Sequence, residues 1–245
     1  IVAVGFSLLR QMYPIALNGG GFFGQDPAYQ YLFAAVDILQ GHAPAHTDHP
    51  GTPLQSLIAL TILAVWAVSR LTGMTNLGVF ESVLASPERY MAAVSVILLL
   101  LGAVAAYFLG RRVLQATGSR IAGVSCQLTA LMFAIVSPYI VYPTPEAALL
   151  CVSVTLMGVL APAMLGHQGS ASVRDAIFAG VLCGLGVAVK VTFVPVVAML
   201  LVLRSVRLIA IALVAMIVAW FVGVLPILSR LPAMFSWFRN VMTHS

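Results

Sequence analysis

Charge is what this chain has least of: 8% of its 245 residues are Asp, Glu, Lys or Arg, against 61% hydrophobic residues and a mean hydropathy of +1.05. A water-soluble globule cannot be built from that composition, so the chain belongs in a bilayer. Metal-type cysteine spacing is absent as well. Cys126, Cys151 and Cys183 stand singly inside apolar runs and read as small buried residues. Internal repeats and low-complexity linkers are also missing. The net charge of +5 is not a nucleic-acid stripe, because Arg111, Arg112, Arg120, Arg174, Arg204 and Arg207 lie in short links between apolar runs, where they act as topology signals. Nucleic acid is therefore not an expected partner.

The apolar runs approach the roughly 20 residues a helix needs to cross a bilayer, and they follow one another closely. They predict an all-α, polytopic, integral membrane protein forming one transmembrane domain over 1–245. Spans are expected at 1–17, 90–109, 121–137, 146–165, 175–189, 191–203 and 208–228. The chain begins at Ile1 inside an apolar segment and ends at "VMTHS", and is expected to be a fragment with further C-terminal sequence. Parity leaves two schemes for the run at 54–71: if it crosses, either those arginines lie outside or the N-terminus is outside with the acidic loop in the cytoplasm. If it does not cross and the N-terminus is cytoplasmic, all six of those arginines fall on the cytoplasmic side. The expectation is therefore a re-entrant or interfacial 54–71 helix, within a first extracytoplasmic loop spanning 18–89.

That loop gathers polar residues the rest of the chain lacks: "GQDPAYQYLFAAVDILQGHAPAHTDHPGTPLQ". From Asn18 to Pro53 it has no Lys or Arg. Tyr31, Ala34, Ala35 and Ile38 recur at helical spacing and predict a surface helix over 28–40. Asp26, just before Pro27, suits either a helix N-cap or a catalytic carboxylate. His42, His46, Asp48 and His49 have the donors for a divalent metal ion, with His46, Asp48 and His49 the candidate ligands; exposed loop histidines equally bond locally or meet lipid headgroups. "HPGTP" is a turn, with Gly51 free to take positive φ between fixed prolines.

"DPAYQY", then "QG", then "DHPGTPLQSLIAL" resembles the first extracytoplasmic loop of the GT-C membrane glycosyltransferases, a class that includes protein O-mannosyltransferases and lipid A aminoarabinose transferases. "PERYMAAVSVILLLLGAVAAYFLGRRV", "SPYIVYPTPEAALL" and "AGVLCGLGVAVKVTFVPVV" resemble the following span, the outer turn with a second acid, and a Gly-rich span ending in Lys. The likeness departs at Pro27, where many members have Glu, at "HPGTP", where they have a double proline, and at Glu146, where Asp is commoner. It implies a bundle of about seven transmembrane helices with juxtamembrane helices in the first loop. It also implies transfer of a sugar from a polyprenyl-phosphate donor to an extracytoplasmic acceptor, in a bacterial inner or plasma membrane.

Under that implication Asp26 is the general base, desolvation at the membrane bringing its pKa toward working range, and Glu146 is the second catalytic acid. Glu146 also suits a helix N-terminus, where the dipole favours an anion. Tyr29, His49, Lys190 and Arg10 are the substrate-binding candidates, the cations meeting charge that develops on the leaving phosphate. For Arg10 and Lys190 the alternative is snorkelling to the interface. Two rival classes are a transporter or flippase, whose polar residues would line the spans, and an assembly subunit whose loop only binds a partner.

Overall fold

The computed structural model describes residues 26–45, 51–136, 142–165 and 171–243, and every regular element among them is helical. The expected 1–17 span lies outside the described residues. The first helix, α1, Asp26–Leu39, buries Ala28, Tyr31, Leu32, Ala34 and Ala35, the face its periodicity predicts. It closes at Gly41 (φ 75°), where the Gly41 N–H bonds to the Ile38 carbonyl and the His42 N–H to the Asp37 carbonyl. A left-handed residue is needed there, and glycine adopts it without steric cost. Helix α2, Thr52–Leu71, starts after Gly51 (φ 62°) with a proline in its first turn. Helix α3, Val79–Ala85, is a short connector.

The bundle itself comprises α4 (Pro87–Thr117), α5 (Arg120–Val136), α6 (Pro145–Leu165), α7 (Val173–Val189), a long 3₁₀ helix (Val191–Leu203) and α8 (Val206–Gly223). Among the described residues, α2, α4, α6 and α8 are long and apolar enough to cross a membrane. The expected spans 121–137, 175–189 and 191–203 are helical but have 17, 17 and 13 residues. The last expected span, 208–228, is too long. Helix α8 stops at Gly223, and Pro226, which has no N–H to continue a ladder, starts a short 3₁₀ helix, Leu225–Arg230. An unforeseen helix, α9, Leu231–Thr243, follows.

Glycines fix how the bundle packs. A Cβ on Gly180 would overlap the Ala212 carbonyl, and one on Gly184 would overlap the Met216 carbonyl, so α7 and α8 run parallel with their backbones touching. This is the small-residue packing that lets helices associate without a hydrophobic driving force between them. Helices α4 and α6 are also parallel: the Cys151 thiol donates to the Leu98 carbonyl (3.5 Å), and Gly158 lies against Phe108 and Leu109. The 3₁₀ helix must return from the end of α7 to the start of α8. Seventeen α-helical residues rise about 26 Å, and thirteen 3₁₀ residues at roughly 2.0 Å each cover the same distance, where thirteen α-helical residues would cover only about 20 Å.

The bundle therefore has two distinct ends. Arg111, Arg112, Arg120, Arg174, Arg204 and Arg207 share one, as their loop positions predict. Glu88, Glu146 and Lys190 share the other. Among the described residues the contacts of helix α2 gather toward that second end. Its start is bound there by the Gly51 N–H to the Val189 carbonyl (3.1 Å) and by Pro53 beside Gly223, and near its other end the Ser69 hydroxyl accepts a hydrogen bond from Arg89. On the α4/α6 register Arg89 stands only about 9 Å beyond the level of Glu146, whereas Gly51 to Ser69 is about 27 Å along α2. Helix α2 thus runs mainly across the end of the bundle, although its length and composition would allow a crossing.

Gly180→Val and Gly184→Val should each destabilise by about 1–3 kcal/mol, because overpacking pushes α7 off α8. Gly102→Ala, whose Cβ would meet the Cys151 sulfur at an ordinary 3.7 Å, should be near neutral. Thermal melting of the purified protein in detergent compares them. Equal losses at Gly102 and Gly180 would show that the α7/α8 contact does not set the packing.

Candidate functional site

Glu146 and Lys190 meet at the end of the bundle covered by α2. Glu146 stands in the first turn of α6, where the unpaired N–H groups of a helix favour an anion. Lys190 is the single residue between α7 and the 3₁₀ helix, held in an extended conformation, and its N–H caps α7 through the Gly186 carbonyl. The Lys190 ammonium donates to Glu146 Oε1 at 2.7 Å. Two helix N-termini, those of α6 and the 3₁₀ helix, converge on this pair. The Lys190 side chain is 22% exposed and that of Glu146 46%, so both remain reachable from outside. An ammonium has three protons to donate, and the carboxylate takes one of them in this contact.

The first turn of α2 lies alongside. Gly51 is hydrogen-bonded to Val189, the residue before Lys190, and Thr52 and Gln55 are fully buried. Among the described residues the Thr52 hydroxyl has no hydrogen-bond partner, nor does the buried Ser95 hydroxyl of α4. The Tyr31 ring occupies the space where Gly51 has no side chain, which makes glycine necessary for reasons of contact as well as φ.

The expected site residues fall into three groups. Glu146 and Lys190 are brought together, 44 residues apart in sequence. Tyr29 reaches the same end: its hydroxyl donates to Glu88 Oε1 at 3.1 Å, tying α1 to the first turn of α4. Asp26 is placed by its backbone as the first residue of α1, one turn before Tyr29. Arg10, His46, Asp48 and His49 lie outside the described residues. Among the described residues no group of His, Cys, Asp or Glu is arranged to hold a metal ion. Glu88 was not singled out from the sequence; "SPERY" signals a helix start, with Pro at its first position and an acid behind it, and that signal does not separate a binding role from a dipole role.

The opposite end carries a second ion pair. Arg112 Nη2 meets Asp175 Oδ1 at 2.7 Å, while its Nε donates to the Gly158 carbonyl at 3.3 Å. Asp175 also completes a capping box with Ser172 at the start of α7. One guanidinium therefore ties α4, α6 and α7 together, and this is architecture at the end away from the candidate site.

A double-mutant cycle on Glu146→Gln and Lys190→Gln should give a favourable coupling of about 0.5–1 kcal/mol, the range for a partly exposed pair with good geometry. Thermal melting at low and high salt measures it, with the coupling shrinking as salt rises. Zero coupling at low salt would mean that the two charges do not pair in the membrane-embedded protein.

No family model, no curated protein and no solved structure matches this chain.

Proposed function

We propose that the chain is a membrane glycosyltransferase of the GT-C type, moving a sugar from a polyprenyl-phosphate donor to an extracytoplasmic acceptor at the Glu146 end of the bundle. In this reading α1 and α2 lie along the extracytoplasmic interface and the six clustered arginines face the cytoplasm. The observation that carries it is the Glu146–Lys190 pair, set where two helix N-termini meet beneath a helix lying across the bundle.

The chemistry asks for what stands there. A sugar leaving a phosphate diester leaves negative charge on a lipid monophosphate, and charge in a site of low dielectric is best met by fixed cations and oriented N–H groups. Lys190 supplies the cation, and the starts of α6 and the 3₁₀ helix supply the positive ends of two helix dipoles. Glu146 holds Lys190 in place before the phosphate arrives. Asp26, at the head of the neighbouring helix, is the base that takes the acceptor's proton, with Tyr29 anchoring that helix to α4 through Glu88.

A transporter reading keeps one observation in its favour. Thirteen residues of 3₁₀ helix with Pro195 inside are unusual, and irregular helices line the paths of transporters. Among the described residues the ionic groups of the bundle sit at its ends, however, and favour an interfacial reaction.

Asp26→Asn should lower transfer from a labelled polyprenyl-phosphate sugar by the roughly 10²–10⁴-fold typical of losing a general base, with donor binding retained. Lys190→Ala should weaken donor binding and turnover together. Full transfer activity in a folded Asp26→Asn protein would reduce Asp26 to a helix cap.

Topology is tested separately by single cysteines at the exposed positions Ser86, at the Glu146 end, and Ser172, in a background free of the three native cysteines. An impermeant maleimide on intact cells should label the first position and spare the second. The reverse pattern would put the site on the wrong face for this chemistry.

A further inference from the structure

A groove of about 480 Å³ opens between the C-terminal end of α1 and the short 3₁₀ helix. Ile38 and Ala43 form one wall and Leu225 and Pro226 the other. Its polar lining comes from His42, Ser229 and the backbone at Gly41. Among the described residues no Asp, Glu, Lys or Arg side chain lines it. The nearby Asp37 is turned to its own loop, accepting the Ala45 N–H at 3.2 Å. The groove also sits at the carbonyl end of α1, which repels an anion and accepts hydrogen bonds from hydroxyl groups.

The groove is continuous with the surface that faces lipid. Leu225 both lines it and is exposed, and it ends a stripe along α8 formed by Ala210, Val214, Val218 and Phe221 at three- and four-residue spacing. At the lower end of that stripe a second groove, about 410 Å³, is lined by Ile177, Ala210, Ile211, Val214 and Ala215, all hydrocarbon. The distance from Ala210 to Leu225 is about 22 Å, the reach of one long lipid chain. Val224 and Ile227, on the far side of the short 3₁₀ helix, pack on Ala188, two residues from Lys190. The polar groove therefore lies toward the same end of the bundle as the Glu146–Lys190 pair.

We infer that this is a lipid site, in which a chain lies on the α8 stripe and a neutral, hydroxyl-bearing headgroup, that of a glycolipid, sits between His42 and Ser229. The carbonyl end of α1 and the polar groups of His42 and Ser229 favour a polyol head over a phosphate. Naming this lipid the acceptor rests on the transferase reading; the binding itself does not.

The test reads binding without turnover, so its failure is distinct from failure of transfer. The full chain is placed in phosphatidylcholine nanodiscs with a trace of monoglucosyl diacylglycerol carrying a diazirine in one chain, and crosslinks are mapped by mass spectrometry. They should fall between Val214 and Leu225. Unlabelled monoglucosyl diacylglycerol should compete about tenfold better than diacylglycerol, the loss of one or two neutral hydrogen bonds. Ala43→Trp, which fills the groove, should cut crosslinking about tenfold, and Leu84→Trp, on an exposed remote helix, should not. Equal competition by diacylglycerol, stronger competition by phosphatidic acid, or undiminished crosslinking in Ala43→Trp each overturns the site. The headgroup series uses the unaltered protein and decides the matter even if Ala43→Trp does not fold.

Discussion

Backbone contact between α7 and α8 at Gly180 and Gly184 is the constraint from which the remaining geometry follows. The pairing of Gly180 with Ala212 and of Gly184 with Met216 sets the two helices parallel, so the segment joining them has to travel the full height of the bundle in the opposite direction. The return is made by residues 190–205, thirteen of them wound as a 3₁₀ helix whose rise of roughly 2.0 Å per residue covers about 26 Å. Its start fixes Lys190 at the top of α7, opposite the first turn of α6. The ion pair with Glu146 is thus a consequence of glycines two and three turns away.

Five of the six acidic residues among the described ones follow a simple rule, Asp37 in the last turn of α1 being the exception. Asp26, Glu81, Glu88, Glu146 and Asp175 each stand in the first turn of a helix. Placement at a helix N-terminus accounts for all five without invoking chemistry. What separates Glu146 from the others is its partner: a lysine at a helix junction, reachable from outside, under a helix laid across the bundle. Asp175 also has a cationic partner, but Arg112 is additionally bound to a carbonyl and stacked near Phe108, and the whole arrangement is a clamp. The same acid type therefore serves a clamp at one end and a candidate site at the other, and the difference lies in the cation.

Much of the helical framework was legible because hydropathy and glycine or proline punctuation are local signals. The starts at Pro87 and Pro145 and the grouping of the six arginines were readable without contacts. Helix α9 and the early stop of α8 were missed because apolar residues continue through "GVLPIL", and hydropathy outweighed Gly223 and Pro226. Periodicity could not announce a 3₁₀ helix at 191–203, since a segment that is apolar on every side shows no face. The Glu146–Lys190 and Tyr29–Glu88 contacts join residues 44 and 59 positions apart, and single-residue reasoning nominated members without showing which would meet. Glu88 was hidden by its ordinary place behind a proline.

The return helix also bears on the lipid around the protein. The α7 hairpin presents about 26 Å of height to a hydrocarbon core that is typically about 30 Å thick, and hydrophobic mismatch of this sign is relieved by thinning of the adjacent bilayer. A dimple in the leaflet beside Lys190 would bring the headgroup layer down to the ion pair, so that an amphiphile arriving there needs to be lifted less far out of the membrane than one approaching α4, whose 31 residues stand taller than the bilayer.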